Sequence, residues 1–343
     1  MNFLFIGGSN FVIKNGIAES IPRCYANMGY RIDNVYNLSV GGTTSLFGLE
    51  NLNMSNKRDI DIVFVEYGIN DYPLFSNDSL LWSYAYGELL RSLRCRYPKA
   101  RVVSILLGRK PKRFWERQSA MHSKMEEISR EFGALCINID KDLKSISSSD
   151  KFDSLYKDDN HFNSDAIDYI ANSVVAKCLL LCNDASLYEI KSNPDFVFDS
   201  YTVSGQAKTF ENSRMNRKTT VLLKGNSLEI DIKGVPVALS FVSSFDSSSI
   251  LIESNHGNKI IPTKHKVAGS ERFPFLVKQV PLYDVLNMDT DLNSYQKIRL
   301  TALDSSSSKW DESLFQKVYN YYDDVSVSRK VYISNISALS LTS

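Results

Sequence analysis

Residues 1–10 read MNFLFIGGSN, an apolar run at 3–6 that ends abruptly in Gly7, Gly8, Ser9 and Asn10. A short run without polar alternation is the pattern of a strand buried on both faces, as in a parallel sheet covered by helices. Runs of the same texture follow at 60–65 (IDIVFV) and 101–107 (RVVSILL), with weaker strand candidates at 31–38 and 134–139. Between them the period becomes helical. Residues 79–97 carry a helical pattern that stops at Tyr97-Pro98. In the next, Phe114, Met121, Met125, Ile128 and Phe132 share a face, and Gly133 supplies a stop. From Ser164 onward, Ile167, Ile170, Ala171, Val174, Val175, Cys178 and Leu179 form a third stripe. Such alternation predicts an α/β domain over 1–183, a three-layer, doubly wound parallel sheet.

Near residue 184 the texture changes. The stretch NDASLYEIKSNPDF is polar and contains Pro194, so 184–200 is expected to be a linker. Beyond it, SLEIDIK at 227–233 alternates strictly, and KIRLTA at 297–302 and KVYI at 330–333 do so more briefly. Polar Ser, Asn, Gly and Asp clusters, including SSSS at 305–308, separate these runs. The pattern predicts a β-rich second domain over 201–343, an antiparallel sandwich, with no internal repeat.

The 343 residues are enough for both domains to bury a core. With 40 Lys+Arg against 39 Asp+Glu, no bulk field draws nucleic acid or an acidic membrane. No apolar run reaches the roughly 18 residues of a membrane span. The start lacks a basic segment and its apolar run is short, so no secretory signal is expected and the cytoplasm is the expected compartment. Five cysteines, Cys24, Cys95, Cys136, Cys178 and Cys182, are scattered. Cys178 and Cys182 lie one helical turn apart in an apolar stripe, which favours buried thiols over a disulfide or metal site.

Open parallel sheets hold ligands at the carboxyl ends of their strands. Just past the expected strands stand Gly7-Gly8-Ser9-Asn10, the glycine turn around Gly42 within NLSVGGTT, and Tyr67-Gly68-Ile69-Asn70-Asp71; Asp158-Asp159-Asn160-His161-Phe162-Asn163 precedes the last helix. Taken singly, each is an ordinary turn or cap: Ser9 a helix cap, Gly42 a turn glycine, Asn70-Asp71 a turn pair. Together they fill complementary roles. A serine hydroxyl needs a base, and a histidine such as His161 can take its proton near neutral pH. The imidazole needs a carboxylate to fix its tautomer, which Asp158 or the adjacent Asp159 can supply. A developing oxyanion needs donors, available from Ser9 N–H, Gly42 N–H and the Asn70 carboxamide. His122, His256 and His265 have no ligand-like spacing, so no metal is expected.

This ordered set of blocks resembles the SGNH hydrolase superfamily, often called GDSL, over nearly all of 1–182. The resemblance implies Ser9 as nucleophile, His161 as base and Asp158, favoured by the family spacing, as its orienter. It also implies an oxyanion hole of Ser9, Gly42 and Asn70, and ester hydrolysis through an acyl-enzyme without a cofactor. Two positions depart from the pattern. Gly8 stands where the commonest first block has Asp, and Phe162 follows the histidine where proline is common, a change expected at the wall of the site.

A sandwich appended to such a domain is similar to arrangements in enzymes that add or remove acetyl groups on polysaccharides. The expected substrate is therefore an acetyl ester of a carbohydrate. The alternatives are an O-acetyltransferase, using acetyl-CoA or another donor, and an inactive glycan-binding protein. Tyr201, Tyr295, Trp310, Tyr319, Tyr321 and Tyr322 are either sugar-stacking faces or core and strand aromatics. After the 101–107 run, Arg109, Lys110, Lys112 and Arg113 are either a solvated helix start or a site for donor phosphates or an anionic glycan.

Overall fold

The opening apolar run forms β1 (Asn2–Gly7), which pairs in parallel with β2 (Asn34–Asn37) and β3 (Ile62–Glu66). With β4 (Arg101–Leu106) and β5 (Leu135–Asn138) it completes a five-stranded parallel sheet of order β2-β1-β3-β4-β5. The computed structural model describes residues 1–146, 149–180, 196–212, 215–254, 257–282, 291–303 and 330–341. The chain divides into two units, Met1–Ser192 and Asn193–Ser343.

Helices α1 (Ile17–Asn27), α2 (Ser45–Met54), α3 (Tyr72–Asn77), α4 (Ser79–Arg96), α5 (Trp115–Glu131), α6 (Ile139–Ile146), α7 (Ser149–Ser154) and α8 (Ser164–Leu180) fill the first unit. Every residue of β3 is buried, because both sheet faces are covered. On one face Phe3, Phe5 and Phe64 share a core with Ile21 and Tyr25 of α1 and Ile170 and Val174 of α8. The Phe5 and Phe64 rings stack at 5.0 Å, and Phe3 meets Phe64 edge-on at 5.7 Å. α2 packs on α4, and α4 on α5 and β4.

The expected helices at 79–97, 114–132 and from 164 onward correspond to α4, α5 and α8. Asp78 starts α4 by accepting the Leu81 N–H at 2.9 Å, and Tyr97-Pro98 ends it. α1 and α2 escape the periodicity for physical reasons. Pro22 lies inside α1 and reads as a breaker, while α2 is buried from Ser45 through Glu50, so it has no polar face to contrast with an apolar one.

Among its described residues the second unit is all β. β6 (Phe196–Thr202), β7 (Ala207–Glu211), β8 (Asn216–Leu223), β9 (Ser227–Lys233) and β10 (Val235–Ser243) come first. β11 (Ser249–Ser254), β12 (Gly257–Pro262), β13 (Leu276–Pro281), β14 (Tyr295–Ala302) and β15 (Lys330–Leu341) follow. They form an antiparallel sheet of order β13-β10-β15-β8-β7, with β6 also on β15, and a four-stranded sheet of order β12-β11-β14-β9. Ile232, Ile252, Ile298 and Leu300 from the smaller sheet share one core with Leu239, Phe241, Ile333 and Ile336 from the larger. The unit is a sandwich. The alternating runs at 227–233 and 297–302 lie in β9 and β14, where exposed and inward residues take turns.

The linker expected at 184–200 needs correction at its end. Its residues up to 195 lie outside the described residues, but from Phe196 the chain is already β6, paired with β15 from Leu341 back to Asn335. The strand lacks clean alternation, and its pairing with a distant strand is invisible locally. The loop at 305–308, Cys182, His256, Trp310, Tyr319, Tyr321 and Tyr322 also lie outside the described residues. Of the remaining aromatics, Tyr201 is tied to β9, its hydroxyl accepting the Lys233 N–H at 3.1 Å, while Tyr295 is 75% exposed. Among the described residues, Cys24, Cys95, Cys136 and Cys178 form no disulfide. Among the described residues no helix is long and apolar enough to cross a membrane.

Candidate active site

The strand order reverses between β1 and β3, and their carboxyl ends form the crevice where open α/β sheets hold ligands. Ser9 follows β1 in a single 3₁₀ turn, Ser9–Phe11. Gly8 extends the β1–β3 pairing, its N–H donating to Glu66 O at 3.0 Å. A methyl group on Gly8 would sit 2.6 Å from the Asn70 carboxamide. The missing side chain is therefore what lets Asn70 lie against the backbone just ahead of Ser9.

The glycine turn arrives from β2. Val40 N–H donates to Gly7 O at 3.0 Å, and Thr43 Oγ1 donates to Val40 O at 2.7 Å. Gly42 takes φ +68°, a left-handed conformation that favours glycine. A methyl group on Gly41 would lie 3.6 Å from Ser9 Cβ, so the turn runs directly beside the serine.

The loop before α8 supplies the rest. Ser9 Oγ lies 2.7 Å from His161 Nε2, and His161 Nδ1 lies 2.9 and 2.8 Å from Asp158 Oδ1 and Oδ2. A carboxylate only accepts, so Nδ1 carries a proton and Nε2 is left to accept from the serine hydroxyl. Of the two adjacent aspartates it is Asp158 that meets the ring. Its Oδ1 also accepts the Asn160 and His161 N–H groups, at 2.9 and 3.0 Å. Burial by itself would raise the Asp158 pKa, but these N–H donors and the imidazole outweigh it and hold the carboxyl below its usual value. The loop is closed by a bridge between Tyr156 and Phe162. Phe162 is not at the wall of the site: it is buried in the core, its ring 4.5 Å from that of Tyr156.

Three residues to which the sequence reading gave no role in the site support this arrangement. Asn10 is buried and donates from Nδ2 to Asn160 O at 3.2 Å, joining the serine turn to the histidine loop. Asp71 is fully buried and accepts from Ser45 N–H at 2.7 Å and Trp82 Nε1 at 3.0 Å, so it joins the Asn70 loop to the helix that follows the glycine turn. Burial pushes its pKa up to about 7 against those hydrogen bonds. Glu66, at the end of β3, is pushed up to about 8 by burial and then by the charge of Asp71. A carboxyl-bearing residue closing an otherwise apolar strand was the available signal for Glu66.

The basic segment after β4 is engaged within the protein. Arg109 Nη2 donates to Ile69 O at 3.0 Å, and its guanidinium lies 5.1 Å from each of the Tyr72 and Phe114 ring centres. Arg113 lies over Phe114 and Lys112 over Trp115, while Lys110 N–H donates to Asp159 O.

Residues 13–166 match the model of the GDSL-like lipase/acylhydrolase family, a stretch that contains Gly42, Asn70, Asp158 and His161 and begins after Ser9. The first unit thus carries a GDSL-like, or SGNH, acylhydrolase domain, and the β-rich unit follows it as in a two-domain esterase. The whole chain superposes on such an esterase, one active on acetylated mannans and crystallised with mannopentaose. The TM-score is 0.64 at 14% identity, covering 100% of this chain and 91% of that one. A lipase/acylhydrolase from Enterococcus faecalis is similar over 52% of this chain and 95% of its own, with 18% identity and a TM-score of 0.43. An acetylxylan esterase from Geobacillus stearothermophilus is similar over 51% of this chain and 93% of its own, with 13% identity and a TM-score of 0.42. No curated protein sequence matches the chain.

Proposed function

We propose that the protein is a serine esterase that removes acetyl groups from a carbohydrate through an acyl-enzyme on Ser9. The observation that carries this reading is the continuous relay from Ser9 Oγ through His161 to Asp158. In this mechanism Ser9 Oγ attacks the ester carbonyl carbon while His161 Nε2 takes its proton. Asp158 stabilises the imidazolium that results. The tetrahedral oxyanion is received by Ser9 N–H, Gly42 N–H and the Asn70 carboxamide. Collapse breaks the bond to the sugar oxygen, which leaves with the proton from His161. Water, deprotonated by the same histidine, then attacks the acetyl carbonyl and frees acetate and Ser9. The chemistry needs no metal or cofactor.

The carbohydrate substrate is supported by the two-domain architecture, which is shared along the whole chain with an esterase of acetylated mannans. The test is acetate release from acetylated oligosaccharides, and p-nitrophenol release from p-nitrophenyl acetate, by wild type and Ser9→Ala. Serine-dependent release of acetate into water supports the reading. Acetyl transferred to an added acceptor sugar, with acceptor-dependent acceleration, replaces hydrolysis by O-acetyl transfer. Equal rates from both proteins on every ester overturn the reading in favour of a glycan-binding role.

A further inference from the structure

Asn70 is carried on a loop whose own backbone is held from beneath, and the residue that holds it most completely lies on α5. Gln118 is fully buried. Its Nε2 donates to Gly68 O at 2.9 Å, and its Oε1 accepts the Arg109 N–H at 2.9 Å. The accepting end fixes which way the carboxamide faces, so the donating end is aimed at the loop. Arg109, clamped in this way, reaches back with Nη2 to Ile69 O. The two peptide carbonyls immediately before Asn70, those of Gly68 and Ile69, are thus both occupied by donors from one neighbouring segment. His122 Nε2 lies 3.3 Å from the same Gly68 oxygen. Gly68 itself is pressed on β4's extension, where an added methyl group would come within 2.8 Å of Leu107 O.

We propose that Gln118 is a positioning residue for the Asn70 oxyanion donor, acting directly on Gly68 O and through Arg109 on Ile69 O. It touches no reacting atom. By fixing two successive peptide planes it sets the Cα position and side-chain direction of Asn70. Transition-state stabilisation by a carboxamide depends on its preorganisation. The inference rests on the esterase reading for its kinetic consequence, but its structural consequence can be measured without activity.

The test is a double-mutant cycle combined with hydrogen exchange. Gln118→Met keeps the volume and removes both hydrogen bonds. It is expected to lower kcat for p-nitrophenyl acetate about tenfold with little change in KM, the effect of loosening a loop held by hydrogen bonds of ordinary strength. In an Asn70→Ala background the same change should have almost no further effect. An equal loss in both backgrounds, or none in the wild type, overturns the proposal. Independently, exchange at the Asp71 N–H, which is bonded to Tyr67 O at 2.9 Å, should quicken about tenfold while β3 keeps its protection. Unchanged exchange at Asp71 overturns it even if the protein hydrolyses no ester. Absence of Ser9-dependent hydrolysis with quickened exchange overturns only the esterase reading. If Gln118→Met does not fold, Arg109→Met, at a half-buried position, removes the guanidinium's contacts with Ile69 O and with the Tyr72 and Phe114 rings while leaving the Gln118 bond to Gly68 O, and is carried through both measurements with the same expectations.

Discussion

In the N-terminal unit β3 is buried residue after residue, and its one polar side chain, Glu66, closes the strand. In the C-terminal unit β9 and β14 send every second residue outward, and the outward face is a ladder of paired charges. Arg299 stands across from Glu229 and from Glu253, and Lys297 stands across from Asp231. The difference follows from strand direction. Parallel strands bring all their carboxyl ends to one edge, so loops distant in sequence meet there, as those of Ser9, Gly42 and Asn70 do. Antiparallel strands reverse at each turn and scatter their ends, so an exposed face displays polar residues without converging them. Chemistry is expected to concentrate in the first unit, and the second to depend on packing and register.

Five measurements break or sharpen this contrast. The largest effect is expected from Ser9→Ala, which should lower kcat on acetyl esters by a factor on the order of 10⁶, read from steady-state rates. A substantial residual rate would move the nucleophile elsewhere. Asp158→Asn should leave the fold intact and cost on the order of 10⁴ in kcat, because the imidazole loses its orienting carboxylate. In the second unit the comparable vulnerability is structural. Ile298→Ala, in the sandwich core, should lower stability by about 2–5 kcal/mol in a denaturant titration.

The fourth measurement is the pH dependence of stability, where the units oppose each other. Glu66 and Asp71 have folded pKa values raised from 4.5 to about 8 and from 3.8 to about 7. The fold favours their protonated forms. Stability from this pair is fully present below the unfolded values and is lost as pH rises through about 7 and then about 8. Lys278, 8% exposed in the sandwich, is lowered by burial from 10.5 to about 8. Here the fold favours the neutral amine, so stability is present above pH 10.5 and is lost as pH falls through about 8. Thermal unfolding across this range should show Glu66→Gln flattening the fall and Lys278→Met flattening the rise. A Glu66→Gln profile with the wild-type slope would mean that the carboxyl is hydrated in the fold. The smallest effect belongs to the charge ladder: Glu229→Ala should cost only about 0.2–1 kcal/mol, diminishing with salt, since both partners are exposed. A larger loss would show that this face is more than solvated register.

The residues of the relay were legible because each lies in a short contiguous block after a strand or before a helix. Asp158 and His161 are three residues apart on one loop, and Ser9 directly follows the strand that opens the chain. The choice between Asp158 and Asp159 needed the loop's closure, because both carboxylates are within reach of the ring by sequence alone. Phe162 read as part of the site wall, yet the Tyr156 bridge turns it into the core. Arg109 read as a ligand-binding charge or a solvated helix start. The structure sets it against the ring of Phe114 on its own segment, and against the Tyr72 ring and the Ile69 carbonyl, which are distant in sequence. Gln118 left one trace, a polar residue inside the stripe of Phe114, Met121 and Met125, but nothing in that stripe says which carbonyl it meets.

By itself the sequence determined the parallel unit, the alternating unit and the short blocks that carry Ser9, Gly42, Asn70 and His161. Periodicity and local turn chemistry are short-range properties that a linear reading captures. Only the tertiary structure decided that the Asn70 carboxamide lies against Gly8. The same holds for Asn10 joining the serine and histidine loops, for Asp71 linking the Asn70 loop to α2, and for β6 leaving the expected linker to pair with β15. These are contacts between residues far apart in the chain. Steric fit and buried hydrogen bonding depend on distances in space that no pattern of residue types encodes.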